Sequence, residues 1–291
     1  MNRLKSIFIS LAISIWAYFT FIAFQFIYTQ TLSINSIGIF LISVIPLGFF
    51  IVLLSFKPVA RTSQSLGYLT SLIIIGAFLI LAGTIRAGSF IHLNYLAITS
   101  ISLWLIYVYW YSAMPNKRGT IIIGNTLPPL HFIDGNDNRV STSDFKGKKM
   151  LLLFYRGNWC PLCMAQIKEI SEQYKELEKR GVSVLLISPQ PVSHSVSLAN
   201  KMKVAFHFLT DKNNEMAKKI GIDHPNGTPL GMEIFGYKSE TVLPTAIITN
   251  NKGEIIFVDK TDNYRIRPEP STFLAVLDKF DNEVIKVTSS T

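Results

Sequence analysis

No aspartate or glutamate occurs before Asp134, and the first 113 residues carry only five basic side chains, Arg3, Lys5, Lys57, Arg61 and Arg86. A water-soluble domain carries about a quarter charged residues of both signs, so a stretch this poor in charge belongs in lipid. Four apolar runs stand out, about Ser6–Tyr28, Ile37–Phe56, Leu66–Ile85 and Phe90–Ser112. Each is near the ~20 residues a helix needs to cross the hydrocarbon core, where every backbone polar group must bond within its own segment. The connections "TQTLSINS", "KPVARTSQS" and "RAGS" are short, so neighbouring spans are expected to form antiparallel hairpins. Tyr28 and the cluster Tyr107, Tyr109, Trp110 and Tyr111 fall at span ends, where amphipathic rings favour the headgroup region. With no cysteine or carboxylate among them, the spans read as a passive anchor. Gly38, Gly48 and Gly76 suit close helix contact, and Arg86 and His92 read as interfacial residues that snorkel to the headgroups.

Orientation follows from the basic flanks, because Lys and Arg resist translocation. Arg3, Lys5, Lys57, Arg61, Lys117 and Arg118 gather on one face and Arg86 alone on the other. A multi-pass protein of the cell (inner) membrane is expected, with its C-terminal domain on the cytoplasmic side. "MNRLK" resembles the start of a signal peptide, but the apolar run behind it is too long and lacks a small-residue cleavage site. The net charge is +9, and outside the anchor 23 basic residues face 19 acidic ones without clustering, so no nucleic-acid partner is expected.

The expected organisation is an anchor over residues 1–112, a linker over 113–120 and a redox domain over 121–291. Beyond the linker, short apolar runs bounded by Gly, Pro and Asn alternate with helical stretches, the rhythm of an α/β layer fold. "LHFID", "GNDN" and "RVS" read as a hairpin, and "MLLLFY" (Met150–Tyr155) as a buried central strand. A helix carrying Met164, Ile167, Ile170 and Tyr174 at helical spacing then runs to Gly181. "VSVLLIS", "SHSVSLANKM", "AFHFLTD" and "NNEMAKKIG" continue the alternation, and "TAIITNNKGEIIFVD" reads as a closing hairpin before a last helix, "PSTFLAVLDKF". A parallel core with a terminal antiparallel hairpin follows from this order.

The chain has two cysteines, Cys160 and Cys163, placed between the central strand and the helix. Structural zinc takes four ligands, and no second cysteine pair exists; His131, His194, His207 and His224 are scattered without ligand spacing. Covalent haem needs a histidine directly after the second cysteine, where Met164 stands. The pair therefore reads as a redox centre, with neither metal nor organic cofactor expected. Cys160, at the helix N-terminus, is expected to be the attacking thiolate, because backbone N–H groups and the positive dipole end face its sulfur. Cys163, one turn on and more buried, is expected to resolve a mixed disulfide or sulfenic acid. Arg156 either adds positive charge or simply faces solvent at the strand end, and Trp159 reads as a wall of the substrate groove or as core. Pro161 suits a first helical turn.

"FYRGNWCPLC", "VLPTAIITNNKGEIIFV" and "NYRIRPEP" occur in an order that resembles the peroxiredoxin-like branch of the AhpC/TSA (alkyl hydroperoxide reductase and thiol-specific antioxidant) family, over about Gly124–Phe280. The expected fold is an all-α transmembrane bundle of four helices, read from the apolar runs, followed by an α/β domain that the resemblance implies is thioredoxin-like. The resemblance further implies peroxidatic Cys160, resolving Cys163, a cis-proline at Pro244 beside Thr245, and a family position at Arg267. Leu153 and Gly157 stand where peroxiredoxins carry Pro and Thr or Ser, and Phe154 stands where thioredoxin keeps a buried acid. The expected activity is antioxidant thiol chemistry, with peroxide or protein-disulfide substrates and a thioredoxin- or glutathione-type electron donor. The alternatives are an extracytoplasmic disulfide reductase for exported proteins and a non-enzymatic redox sensor.

Overall fold

The computed structural model describes residues 2–29, 33–55, 59–87, 91–114 and 121–289. Lys57, Lys117, Arg118 and linker residues 115–120 lie outside the described residues. The chain divides into one compact unit of residues 3–58 and 62–113 and a second of residues 59–61 and 114–291.

The first unit is helical: α1 (Asn2–Thr29), α2 (Ile34–Ser55), α3 (Gly67–Ala87) and α4 (Ile91–Leu105), the last running on as a π-helical turn over Ile106–Tyr111. Four segments, Arg3–Thr29, Ile34–Leu53, Gly67–Arg86 and His92–Tyr111, are long and apolar enough to cross a membrane. Small residues let α2 and α3 approach closely. A Cβ on Gly38 would lie 2.6 Å from Gly76 O, and one on Gly76 would lie 2.7 Å from Leu41 Cβ. Polar side chains bridge the helices: Trp16 Nε1 donates to Ser100 Oγ at 3.1 Å and Trp104 Nε1 to Thr70 Oγ1 at 2.9 Å. Tyr107 departs from its expected interfacial place: it is fully buried, its ring 4.9 Å from that of Phe50. The π-turn carries it inward, and its carbonyl accepts from Ser112 N and Ser112 Oγ.

The second unit is built on a seven-stranded sheet. Its elements are β1 (His131–Ile133), β2 (Arg139–Ser141), β3 (Lys149–Phe154), α5 (Pro161–Glu172), α6 (Tyr174–Lys179), β4 (Val182–Ser188), α7 (Val192–Met202) and β5 (His207–Thr210). They continue with α8 (Glu215–Lys219), β6 (Asp223–His224), β7 (Thr241–Val242), β8 (Thr245–Thr249), β9 (Ile255–Lys260) and α9 (Pro270–Ser289). The strand order is β2-β1-β5-β4-β3-β8-β9, while β6 and β7 form a separate ladder. Strands β3, β4 and β5 are parallel, and β8 and β9 run antiparallel beside them. The apolar runs in β3 and β4 are buried on both faces, as a parallel core under helices requires. This is the parallel core with a terminal antiparallel hairpin expected from the order of elements, and the thioredoxin-like fold that the resemblance implies.

Two details differ from what the sequence predicts. The helix after the cysteines breaks at Gln173, whose N–H turns back to the Ile170 carbonyl, so α5 and α6 are separate. Among the described residues no peptide bond is cis, which corrects the expectation for Pro244. Leu243 leaves the β6–β7 ladder with its N–H bonded to Ile222 O, and the trans bond carries the chain straight into β8.

Candidate active site

The carboxyl ends of β3 and β4 lie side by side, Phe154 opposite Ile187, and the loop leaving β3 carries the cysteines. Tyr155 still bonds Ile187 O. Gly157 then adopts φ +142°, a backbone region that side chains rarely tolerate. A Cβ there would lie 2.8 Å from Trp159 Nε1, so the indole occupies the space that a threonine or serine side chain would need. The hydroxyl missing from the sequence at this position is therefore excluded by the fold as well.

Gln190, buried just after β4, fastens this loop from behind. Its Oε1 accepts from Asn158 N at 2.9 Å, and its Nε2 donates to Asn158 Oδ1 at 3.0 Å and to Tyr155 Oη at 2.9 Å. Burial raises the Tyr155 phenol well above its ordinary range, which leaves it neutral. Cys160 is the N-cap of α5 and Pro161 its first residue, so the missing proline N–H costs no helical bond.

Both sulfurs are buried, with relative exposures of 1% for Cys160 and 0% for Cys163, and lie 2.7 Å apart as free thiols. Arg267, itself 5% exposed, reaches them from the turn after β9: its Nη2 is 3.4 Å from Cys163 Sγ and 3.8 Å from Cys160 Sγ. Gln166, one turn beyond Cys163 on α5, steers the guanidinium by accepting from Arg267 Nη1 at 3.1 Å.

Burial pushes both thiols up. At Cys163 the hydrogen bond with Cys160, the Arg267 guanidinium and the Arg156 backbone outweigh burial and bring the thiol down to about 5. Burial and the neighbouring sulfur hold Cys160 well above the ordinary range. The negative charge in this arrangement rests on Cys163, whereas the helix N-terminus points to Cys160. Arg267 stands closer to Cys163, and the Cys160 side chain makes no capping bond. Burial opposes the charge on Arg267, but the two neighbouring sulfurs more than restore it. The site thus holds one proton, one negative charge and one guanidinium.

The remaining expected residues surround this centre. Arg156 is buried, donates from Nη2 to Gly227 O, and lies 4.7 Å from the Trp159 ring centroid, so it is no solvent-facing strand end. Trp159 is half-buried over that guanidinium. Pro244 and Thr245 line a small cavity with Gln166, Asp259 and Arg267, and Thr245 Oγ1 donates to Leu243 O at 3.0 Å. Nothing in the sequence singles out Gln166, Gln190 or Asp259, and Arg267 stands out there only within "YRIRPEP", without a role. The helical offset of Gln166 from Cys163 is the one local signal that could have found a partner.

The AhpC/TSA family model matches residues 123–258. The chain is 30% identical over 142 residues to the peroxiredoxin bcp of Buchnera aphidicola subsp. Schizaphis graminum, covering 48% of this chain and 84% of that protein. It is 24% identical over 148 residues to the thiol-disulfide oxidoreductase ResA of Bacillus subtilis, covering 51% of this chain and 73% of that one. It spans about half the length of peroxiredoxin Q of Sedum lineare, 53%, at 32% identity over 99 residues. The crystal structure of peroxidoxin BcpB from Mycobacterium tuberculosis aligns with a TM-score of 0.46 at 18% identity, over 54% of this chain and 96% of that one. With the paired sulfurs at the end of β3 and a relative matched over most of its length, the chain belongs to the AhpC/TSA family of thioredoxin-fold thiol oxidoreductases.

Proposed function

We propose that the C-terminal unit reduces peroxides through a Cys160–Cys163 dithiol–disulfide cycle. The observation that carries this reading is the pair of buried sulfurs, 2.7 Å apart, facing a buried guanidinium. An oxidant that meets a cysteine only 1% exposed must be small, which favours a peroxide over a folded protein disulfide. As Cys160 attacks, the proton shared by the pair passes to Cys163. The S–O bond forms, the O–O bond breaks, and the leaving hydroxide, its developing charge opposite Arg267, takes a proton from solvent to become water. The Cys163 sulfur then displaces hydroxide from the Cys160 sulfenic acid, forming the disulfide and a second water. An external thiol reductant of thioredoxin or glutathione type returns the pair to the dithiol, with no bound cofactor.

The full chain in detergent, treated with hydrogen peroxide, tests this reading. Wild type is expected to form the Cys160–Cys163 disulfide far faster than an ordinary thiol oxidises, and Cys163→Ser to retain a trappable sulfenic acid on Cys160. Oxidation no faster than that of a free thiol would overturn it. Thiol–disulfide exchange is the second reading, favoured by the hydroxyl that Gly157 excludes and by the likeness to ResA. It predicts instead rapid reduction of a small disulfide such as oxidised glutathione. We further infer that the four apolar helices anchor this activity to the cytoplasmic face of a cell membrane, a reading supported by their length and by the basic flanks.

A further inference from the structure

Oxidation of the pair removes the anion that faces Arg267. A guanidinium 5% exposed and without a counter-charge is costly, so the oxidised state needs another partner for it. Two observations point to where that partner is. Arg267 Nε has no hydrogen-bond partner among the described residues. Arg267 also lines a cavity of about 10 Å³, the scale of a single water, together with Gln166, Thr245, Thr261 and Asp259. Asp259 is half-buried on β9, and its carboxyl has no hydrogen bond or ion pair among the described residues.

We propose that Asp259 is a positioning residue that exchanges a proton with each redox cycle, ionising to accompany Arg267 when the pair becomes a disulfide and reprotonating when the thiolate returns. The proposal rests on the dithiol–disulfide cycle argued above, and the balance closes. One thiol, one thiolate, one protonated Asp259 and one hydrogen peroxide give one disulfide, one Asp259 carboxylate and two waters. Two electrons leave the sulfurs for the O–O bond, and the net charge of the buried site is the same before and after. The half-buried carboxyl exchanges its proton with solvent, so the coupling needs no proton wire.

The surroundings fit this role. Burial raises the Asp259 carboxyl above its usual range, Arg267 opposes that shift and Asp262 of the same turn adds to it. Across the sheet Asp259 pairs with Ala246, which carries no charge, and Leu153 and Gln166 bring none from β3 and α5. Lys260, next along β9, is engaged with Ile121 O.

The midpoint potential of the full chain in detergent, measured against glutathione or dithiothreitol buffers from acid to alkaline pH, tests the proposal. Between the Asp259 pKa values of the reduced and oxidised states, wild type is expected to bind one further proton per two electrons. That is a tenfold change in the redox equilibrium per pH unit, or about 30 mV. The isosteric Asp259→Asn is expected to lack this component and to be more oxidising at neutral pH, while Asp259→Glu keeps it. Parallel curves for wild type and Asp259→Asn would overturn the role of Asp259 alone. Absence of a reversible Cys160–Cys163 disulfide in both proteins would overturn the cycle itself, and this proposal with it.

Discussion

Arg267 approaches the two sulfurs from more than a hundred residues further along the chain, and it supplies the stabilising charge that a buried thiolate requires. A thiol sealed from water is otherwise pushed above its ordinary pKa of about 8.5. Replacing Arg267 by methionine keeps an unbranched chain in the space while removing the charge. The thiolate midpoint of Cys163, about 5 in wild type, is expected to rise to the ordinary thiol range or beyond. At pH 6 this corresponds to on the order of a hundredfold less thiolate. Thiolate ultraviolet absorbance and the pH profile of iodoacetamide alkylation both read it. A midpoint in Arg267→Met that stays near the wild-type value would assign the low pKa to Cys160 and the Arg156 backbone instead. Arg156, Trp159 and Pro161 are legible in the sequence because they adjoin the cysteines. Arg267, Gln190 and Asp259 are not, since each acts only through a tertiary contact made when distant strands assemble. The low pKa of Cys163 is hidden for the same reason: a helix N-terminus is visible in a sequence, but a guanidinium arriving from the turn after β9 is not.

At the scale of elements, the strongly periodic or uniformly apolar segments are readable. β3 and β4 are continuous apolar runs because both of their faces are covered, and β8 and β9 are joined by the short "NNKG" turn. The β6–β7 ladder pairs only Asp223 with Val242 and His224 with Thr241, too short a signal to separate from loop. The break at Gln173 follows no glycine or proline, so helical spacing reads straight through it. Among the apolar helices, Gly38 and Gly76 are legible as packing residues, and the structure supplies the partner each one meets. Gly76→Leu drives a side chain into Leu41, Ile42 and the Gly38 carbonyl, contacts that start at 2.7 Å for the Cβ alone. Overpacking of this kind costs about 1–3 kcal/mol, so the helical unit is expected to unfold at lower temperature in detergent. Gly48 does not make the close helix contact expected of it from the sequence, since an added Cβ would meet nothing within 4 Å, and it provides the internal control: Gly48→Leu is expected to be nearly neutral by the same thermal assay. Equal losses in the two variants would mean that close α2–α3 contact does not govern stability.

For the whole molecule, an abrupt change in composition separates the two units: no acidic residue before Asp134, then nearly balanced charge. That contrast makes the division readable from composition, while the side of the membrane rests on charge counting alone. The side matters for chemistry, because a dithiol facing the cytoplasm is held reduced and acts in cycles, whereas one facing outward meets oxidising conditions. Two exposed reporters are expected to lie on opposite sides, since an even number of spans returns the C-terminal unit to the side of the N-terminus. Tyr28, at the end of α1, is 94% exposed, and Lys252 is exposed in the turn between β8 and β9. With Cys160 and Cys163 replaced by serine, Tyr28→Cys is expected to react with a membrane-impermeant maleimide on intact cells. Lys252→Cys is expected to react only after permeabilisation. Labelling of Lys252→Cys on intact cells would place the redox unit outside and turn its substrates toward exported proteins. The disulfide would then be the resting form, and Arg267 would spend most of its time without the thiolate that faces it in the reduced site.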